Sequence, residues 1–351
     1  MHRWTMLGAT ALMPLLAGCI TLADFSPDGQ RVAVGTPSGT VVHDIASGGT
    51  QTVGPKGPCI APAWSPDGRR IALFVGDPAH GFEKQSRLCI HDLTSGRTTT
   101  LPAGFGPPFA WRDDGTRFVC RAEIDGKARW VWYNLPERGI TQENERAPEP
   151  LSQDNACVAY VAGTDSIVIL GSDSNIHLVE GNEVQRLTTS ADVIGMRVAS
   201  DGRRLTWVRK GLNPRYIVAS VYAYDLPSRS VRKLAFPDRI PAINPDPRRA
   251  PVSVDGAAVA PAGQRLAITV TYSTGKGGTA RAVFVMGLDG AGARLVHRTD
   301  PSTQPDVELR VAWAPDGRHL TITEMRGKRT VTRLYRGDGS AVRVLSTSTW
   351  P

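Results

Sequence analysis

Three of the seven histidines, His43, His91 and His177, recur at matching places in otherwise different stretches. Recurring imidazoles are a common way to gather a metal ion. Each follows a short apolar run: Val41-Val42-His43-Asp44, Cys89-Ile90-His91-Asp92 and Ile176-His177. The cysteines at 59, 89, 120 and 157 lack the Cys-x-x-Cys or paired Cys/His spacing of a zinc site. A Gly-x-Ser-x-Gly elbow, a His-Glu-x-x-His helix, a Walker-type loop and a dinucleotide fingerprint are all missing. Gly275-Lys276-Gly277-Gly278 lies between two strand-like runs with no helix after it, so it reads as a loop and not a phosphate cradle. These residues predict a non-enzymatic chain that needs neither cofactor nor metal.

Whatever chemistry exists must be positioned by a frame, and the chain repeats one. The clearest copies are Trp64-Ser65-Pro66-Asp67-Gly68-Arg69-Arg70-Ile71-Ala72-Leu73 and Trp313-Ala314-Pro315-Asp316-Gly317-Arg318-His319-Leu320-Thr321-Ile322. Variants begin at Phe25, Trp111, Val198 and Val259, and a degenerate copy runs from Tyr160 to Ile167 with its glycine one place early. Proline presets the first central position of a type I turn, aspartate suits the second, and glycine supplies the left-handed residue that closes a bulged hairpin. Alternation such as Ile71/Leu73 and Leu320/Ile322 marks the following strand. A third strand ending in a polar turn and a short fourth strand complete each unit. The fold class is therefore all-β, a β-propeller of seven four-stranded blades, or six if the stretch at 160–170 is a linker.

The Ser-Pro-Asp-Gly-x-x-apolar-Ala sequence at 26–33 and 65–72 resembles the WD40-like (PD40) repeat of TolB-type propellers, a repeat also found in prolyl-oligopeptidase-like enzymes. The resemblance covers nearly the whole mature chain. It implies the fold, whereas activity has to be argued from a site. TolB itself resembles six blades with an N-terminal α/β domain, for which this chain has no room. Some propeller lyases hold a metal with histidines from several blades. Such ligands converge on a central channel lined by first strands, while His43, His91 and His177 belong to third strands further out. A packing role between blades is expected for them.

Residues 1–18 have the layout of a secretory signal peptide: His2 and Arg3 precede the apolar run from Met6 to Ala17, which is too short to span a bilayer. Leu16-Ala17-Gly18-Cys19 resembles the bacterial lipobox, which implies lipidation of Cys19 and a mature propeller domain over 19–351. The expected product is exported and held to a membrane by lipid, facing the periplasm or the cell exterior. In such a compartment disulfides persist. Cys120 and Cys157, expected at neighbouring strand ends of blades three and four, form a candidate pair, with buried free thiols as the alternative.

Lysine and arginine total 41 against 33 acidic residues, giving a net charge of +8. Connections between second and third strands share one face with the links between blades. Arg209, Lys210, Arg215, Arg239, Arg248, Arg249, Lys276 and Arg281 are thereby expected on one basic rim. Such a rim attracts an acidic protein segment or an anionic envelope glycan through long-range steering. Nucleic acid is a poor candidate, because the chain is read as exported and lacks interleaved aromatic platforms. The expected function is a non-catalytic envelope scaffold that binds protein or glycan. A lyase or hydrolase acting on envelope polysaccharide from the channel is the alternative.

Overall fold

Ser26, Asp28 and Gly29 show why the repeated tetrapeptide makes a hairpin. The Gly29 amide donates to the Ser26 carbonyl at 2.8 Å, and Gly29 has φ +69°, so a type I turn is followed by a left-handed residue. Ser26 Oγ accepts the Arg31 amide at 2.9 Å and Asp28 Oδ1 accepts the Gln30 amide at 3.0 Å. Ser65 and Asp67 repeat both bonds, with Arg70 and Arg69, at the same 2.9 and 3.0 Å. In the degenerate copy the Thr164 amide closes the turn on the Val161 carbonyl, and the residue with positive φ is Gly163, at +76°. A glycine third in the turn is the signature of type II, so the displaced glycine changes the turn type while loop length is kept.

The protein is seen in a computed structural model that describes residues 22–77, 86–143, 157–199, 204–209, 220–226, 228–235, 253–261, 263–273, 279–300 and 307–350. Seven four-stranded antiparallel sheets form a ring. Blade one holds β1 (Ala23–Phe25), β2 (Arg31–Thr36), β3 (Gly39–Asp44) and β4 (Thr50–Val53); blade two holds β5 (Cys59–Trp64), β6 (Arg70–Val75), β7 (Arg87–Asp92) and β8 (Thr98–Thr100). Blade three holds β9 (Phe105–Trp111), β10 (Arg117–Ile124), β11 (Lys127–Asn134) and β12 (Gly139–Glu143); blade four holds β13 (Cys157–Tyr160), β14 (Ser166–Leu170), β15 (Ile176–Glu180) and β16 (Glu183–Arg186). Blade five holds β17 (Val193–Val198), β18 (Arg204–Arg209), β19 (Ser220–Asp225) and β20 (Ser230–Ala235). Blade six holds β21 (Ser253–Val259), β22 (Arg265–Ser273), β23 (Thr279–Gly287) and β24 (Arg294–Arg298); blade seven holds β25 (Val307–Trp313), β26 (His319–Arg326), β27 (Arg329–Arg336) and β28 (Ala341–Thr349). The stretch at 160–170 is a true blade, not a linker. Among the described residues no helix is long and apolar enough to cross a membrane.

The core is a set of slabs between blades, because second strands are buried on both faces. In β14, Ile167 and Ile169 pack toward blade three with Trp130 and Trp132, while Val168 and Leu170 pack toward blade five with Met196 and Trp207. The ring closes the same way. Phe25, Val32 and Val34 pack against Ala314, Leu334 and Leu345, and the Arg343 guanidinium donates to the Asp44 carbonyl at 2.5 Å. Blades one and seven share no strand.

This two-sided burial corrects the expected disulfide. Cys120 lies mid-strand in β10, which continues to Ile124, and faces the slab between blades two and three beside Ala72 and Leu88. Cys157 opens β13 as expected but faces the slab between blades four and five. Cys120 is a fully buried free thiol, so the Cys120–Cys157 bridge is not formed.

Candidate functional site

Alternation along the first strands decides what the channel sees. In β25, Val307, Leu309, Val311 and Trp313 are buried between blades, while the intervening Glu308, Arg310 and Ala312 are partly open. The residue just before each hairpin's leading apolar residue turns inward. Asp24, Ala63, Ala159, Arg197, Ala258 and Ala312 all line a channel cavity of about 280 Å³. Ala110 holds the same place in β9, where Phe109 lines the wall. The throat is thus mainly small and apolar, with one acid from blade one and one guanidinium from blade five.

Asp24 is unusual for a carboxylate. Burial pushes its acid up to about 7, opposed by hydrogen bonds from the backbone amides of Trp64 and Phe25. The Trp64 amide donates to Asp24 Oδ2 at 2.9 Å.

A charged cavity of about 460 Å³ opens at the mouth of the channel, walled by blades four to seven. Its walls include Arg197, Asp255, Gly256, Arg281, Glu308 and Arg310. Asp255 is placed there by a β-bulge: Val254 pairs with Val270 and Gly256 with Thr269, leaving Asp255 as the extra residue. Bulges re-aim side chains in this way near functional sites. Asp255 Oδ2 accepts from Thr271 Oγ1 at 2.5 Å and lies 3.7 Å from Arg281 Nε. Arg310 is ion-paired with Glu308. Burial pushes the Glu308 acid up, against the pull of Arg310, Arg281 and Arg197. Burial and the nearby Arg310 push the Arg197 guanidinium down to about 10, with Glu308 opposing. Three guanidiniums against two carboxylates leave the mouth electropositive by one charge. Gly256 keeps it open, since a Cβ built there meets nothing within 4 Å.

First-strand starts, third-strand starts and blade links share one face, so this mouth lies on the face where the basic rim was expected. Arg281 enters it directly. Arg209 is on that face too, but its Nε is 2.9 Å from Asp192 Oδ1 and its guanidinium lies over the Tyr222 ring. Lys210, Arg215, Arg239, Arg248, Arg249 and Lys276 lie outside the described residues, as does Cys19.

Sequence reasoning missed Asp24, Arg197, Asp255, Glu308 and Arg310. A signal existed for four of them: a charge immediately before the leading apolar residue, or at alternate positions along a first strand. For Asp255 there was none, because a bulge reverses the alternation.

The recurring histidines lie within the blades and away from the channel wall. His43, His91 and His177 are buried in third strands. His91 Nδ1 is 2.9 Å from Thr98 Oγ1 and His177 Nε2 is 3.0 Å from Asp173 Oδ1, both within their own blades. Burial pushes His43 and His91 toward the neutral imidazole. Among the described residues no group of three or more His, Cys, Asp or Glu is placed to hold a metal ion.

No protein-family model and no curated protein matches the chain. Solved structures with the same fold include prolyl endopeptidases, at TM-score 0.62 and 12% identity over 94% of this chain and 50% of that one. An oligogalacturonate lyase from Vibrio parahaemolyticus aligns at TM-score 0.60 and 11% identity, over 85% and 84% of the two chains. TolB from Acinetobacter baumannii aligns at TM-score 0.51 and 17% identity, over 81% of this chain and 64% of that one. The chain spans half the length of the endopeptidase and under two thirds of TolB. These likenesses are of fold alone: the chain is a seven-bladed β-propeller with a shape shared by TolB, the lyase and the endopeptidases.

Proposed function

We propose that this propeller is an exported, lipid-anchored scaffold of the cell envelope that binds an anionic partner, an acidic protein segment or an acidic glycan, without catalysing a reaction on it. The observation that carries the reading is the electropositive mouth: the three guanidiniums of Arg197, Arg281 and Arg310 converge on an open cavity against the two carboxylates of Asp255 and Glu308. Planar guanidiniums held on rigid strands favour bidentate capture of carboxylate or phosphate groups. The small apolar throat below offers no pair of facing carboxylates, and the histidines sit away from it, so the lyase or hydrolase alternative draws no support from the described residues.

Lipidation at Cys19 accords with this site. The chain enters β1 on the same face as the mouth, and the three residues from Cys19 to Leu22 span at most ~11 Å. An anchor there would hold the mouth toward the membrane and restrict its partners to components at that surface. Two acyl chains suffice for firm attachment, at roughly 0.8 kcal/mol per buried methylene.

The test is capture from native envelope extract by the mature protein and by Gly256→Leu. Gly256 has no left-handed φ, so the leucine fills the mouth without backbone strain. Loss of the anionic partner at an unchanged melting temperature is expected. Retention of the same partners with the same salt dependence would overturn the reading.

A further inference from the structure

A second electropositive cavity lies between blades six and seven, away from the channel, with a volume of about 240 Å³. It is walled by the end of β24, the end of β26 and the start of β27. Four guanidiniums, Arg298, Arg326, Arg329 and Arg333, meet two carboxylates there, Glu324 and Asp300. Four guanidiniums against two carboxylates give the notch a charge of plus two.

Its floor is built, not incidental. Glu324 joins three partners: its carboxylate lies 3.2 Å from His297 Nε2, 3.3 Å from Arg333 Nη1 and 3.6 Å from Arg326 Nη2. The other imidazole nitrogen, His297 Nδ1, is 3.0 Å from the hydroxyl of the buried Tyr335. The side chains of His297 and Glu324 are only 11% and 15% exposed, so this network is fixed beneath the opening. Arg326 and Arg329 flank the Gly327-Lys328 turn above it, and Arg329 forms no ion pair among the described residues.

We propose that this notch binds a phosphate-type dianion. A phosphomonoester carries close to two negative charges at neutral pH and three strong acceptor oxygens. It matches both the residual charge and the fork geometry of several guanidiniums better than a single carboxylate does. The site differs from the channel mouth and does not depend on what binds there. A soluble phosphate ester and a phosphomonoester lipid headgroup present the same chemistry.

Calorimetry with inorganic phosphate, at low fixed chloride, tests the proposal on the full mature chain. Binding at about 1 mM or tighter is expected. Arg329→Ala weakens it about tenfold, the usual effect of losing one charge-assisted hydrogen-bonding group. Lys328→Ala is the control, because it removes the same charge one residue away from a side chain that does not line the notch; it changes binding less than about twofold. Glucose 6-phosphate and phosphatidic acid vesicles, each compared between wild type and Arg329→Ala, then identify the source. Dependence on Arg329 with the sugar phosphate assigns a soluble ester, and dependence seen with vesicles alone assigns a lipid headgroup. No phosphate binding at 10 mM (about tenfold above the expected constant), or equal weakening by Arg329→Ala and Lys328→Ala, overturns the proposal.

Discussion

The indole Nε1 of Trp111, at the end of the first strand of blade three, donates to the Ala63 carbonyl of blade two at 3.1 Å. Trp64 makes the same bond to Asp24 at 3.2 Å, and Trp313 to Ala258 at 3.0 Å. Each acceptor sits one residue before the equivalent position of the preceding blade, so the bond staples inner strands directly around the channel. Trp111→Phe should cost about 2 kcal/mol in urea unfolding, from a lost hydrogen bond plus reduced volume. Trp130→Phe makes the same change where the buried indole nitrogen has no hydrogen-bond partner among the described residues, and it should cost less. Equal losses would show that the staple contributes nothing beyond packing.

Blade four gives a sharper test of the ring. Ile169 is fully buried in the slab shared with blade three. Ile169→Asp places an unpaired carboxyl there and should destabilise by about 4 kcal/mol or more. Thermal melting measures it, and an unchanged midpoint would be incompatible with a packed β14.

Asp24 links the channel to pH. Its folded acid, at about 7, lies above the ordinary 3.8, so the folded state holds a proton across that window that the unfolded chain has released. The stability cost of the buried charge is absent below the ordinary value and fully present above 7. Asp24→Asn keeps an oxygen for the Trp64 amide and removes the charge. The variant should gain about 2 kcal/mol over wild type at pH 8, after allowance for channel water, and the gain should vanish toward pH 4. Unfolding titrations of both proteins at pH 4, 6 and 8 measure the trend. A constant difference across that range would mean that Asp24 titrates normally.

Anchoring is tested at one residue. Cys19→Ala should abolish fatty-acid incorporation and move the protein from the detergent phase to the aqueous phase. Equal labelling of the two forms would remove the lipoprotein assignment.

The hairpin repeat made blade count and strand order readable, including the degenerate copy, because turn residues act locally and each turn forces an alternating strand. The third-strand placement of the histidines was readable for the same reason, whereas the hydrogen bonds of His91 and His177 stay within their own blades. Side-chain facing was less so. Whether Cys120 turns toward blade two or blade four depends on the parity of one strand, and its supposed partner Cys157 belongs to a different slab. The charged mouth was less legible than the arginines of the long connections, which stand out from their polar surroundings in the sequence. Glu308, Arg310 and Arg197 sit inside short apolar strands that look like core until the ring curves them toward a common axis. Asp255 is harder still, since a single inserted residue reverses which neighbours point inward.

The throat has a further consequence. Its backbone repeats seven times around the axis, but its charge does not: Asp24 and Arg197 are separated by two blades on one side and three on the other, with alanine at the equivalent position of all five remaining blades. To a molecule entering along the axis, the seven azimuths are inequivalent. A guest carrying both a positive and a negative group would have one preferred rotation, and a uniformly charged guest would be drawn to one wall and repelled from the other. The throat therefore has the shape of a keyed socket and not a round one, and the key is cut by two side chains.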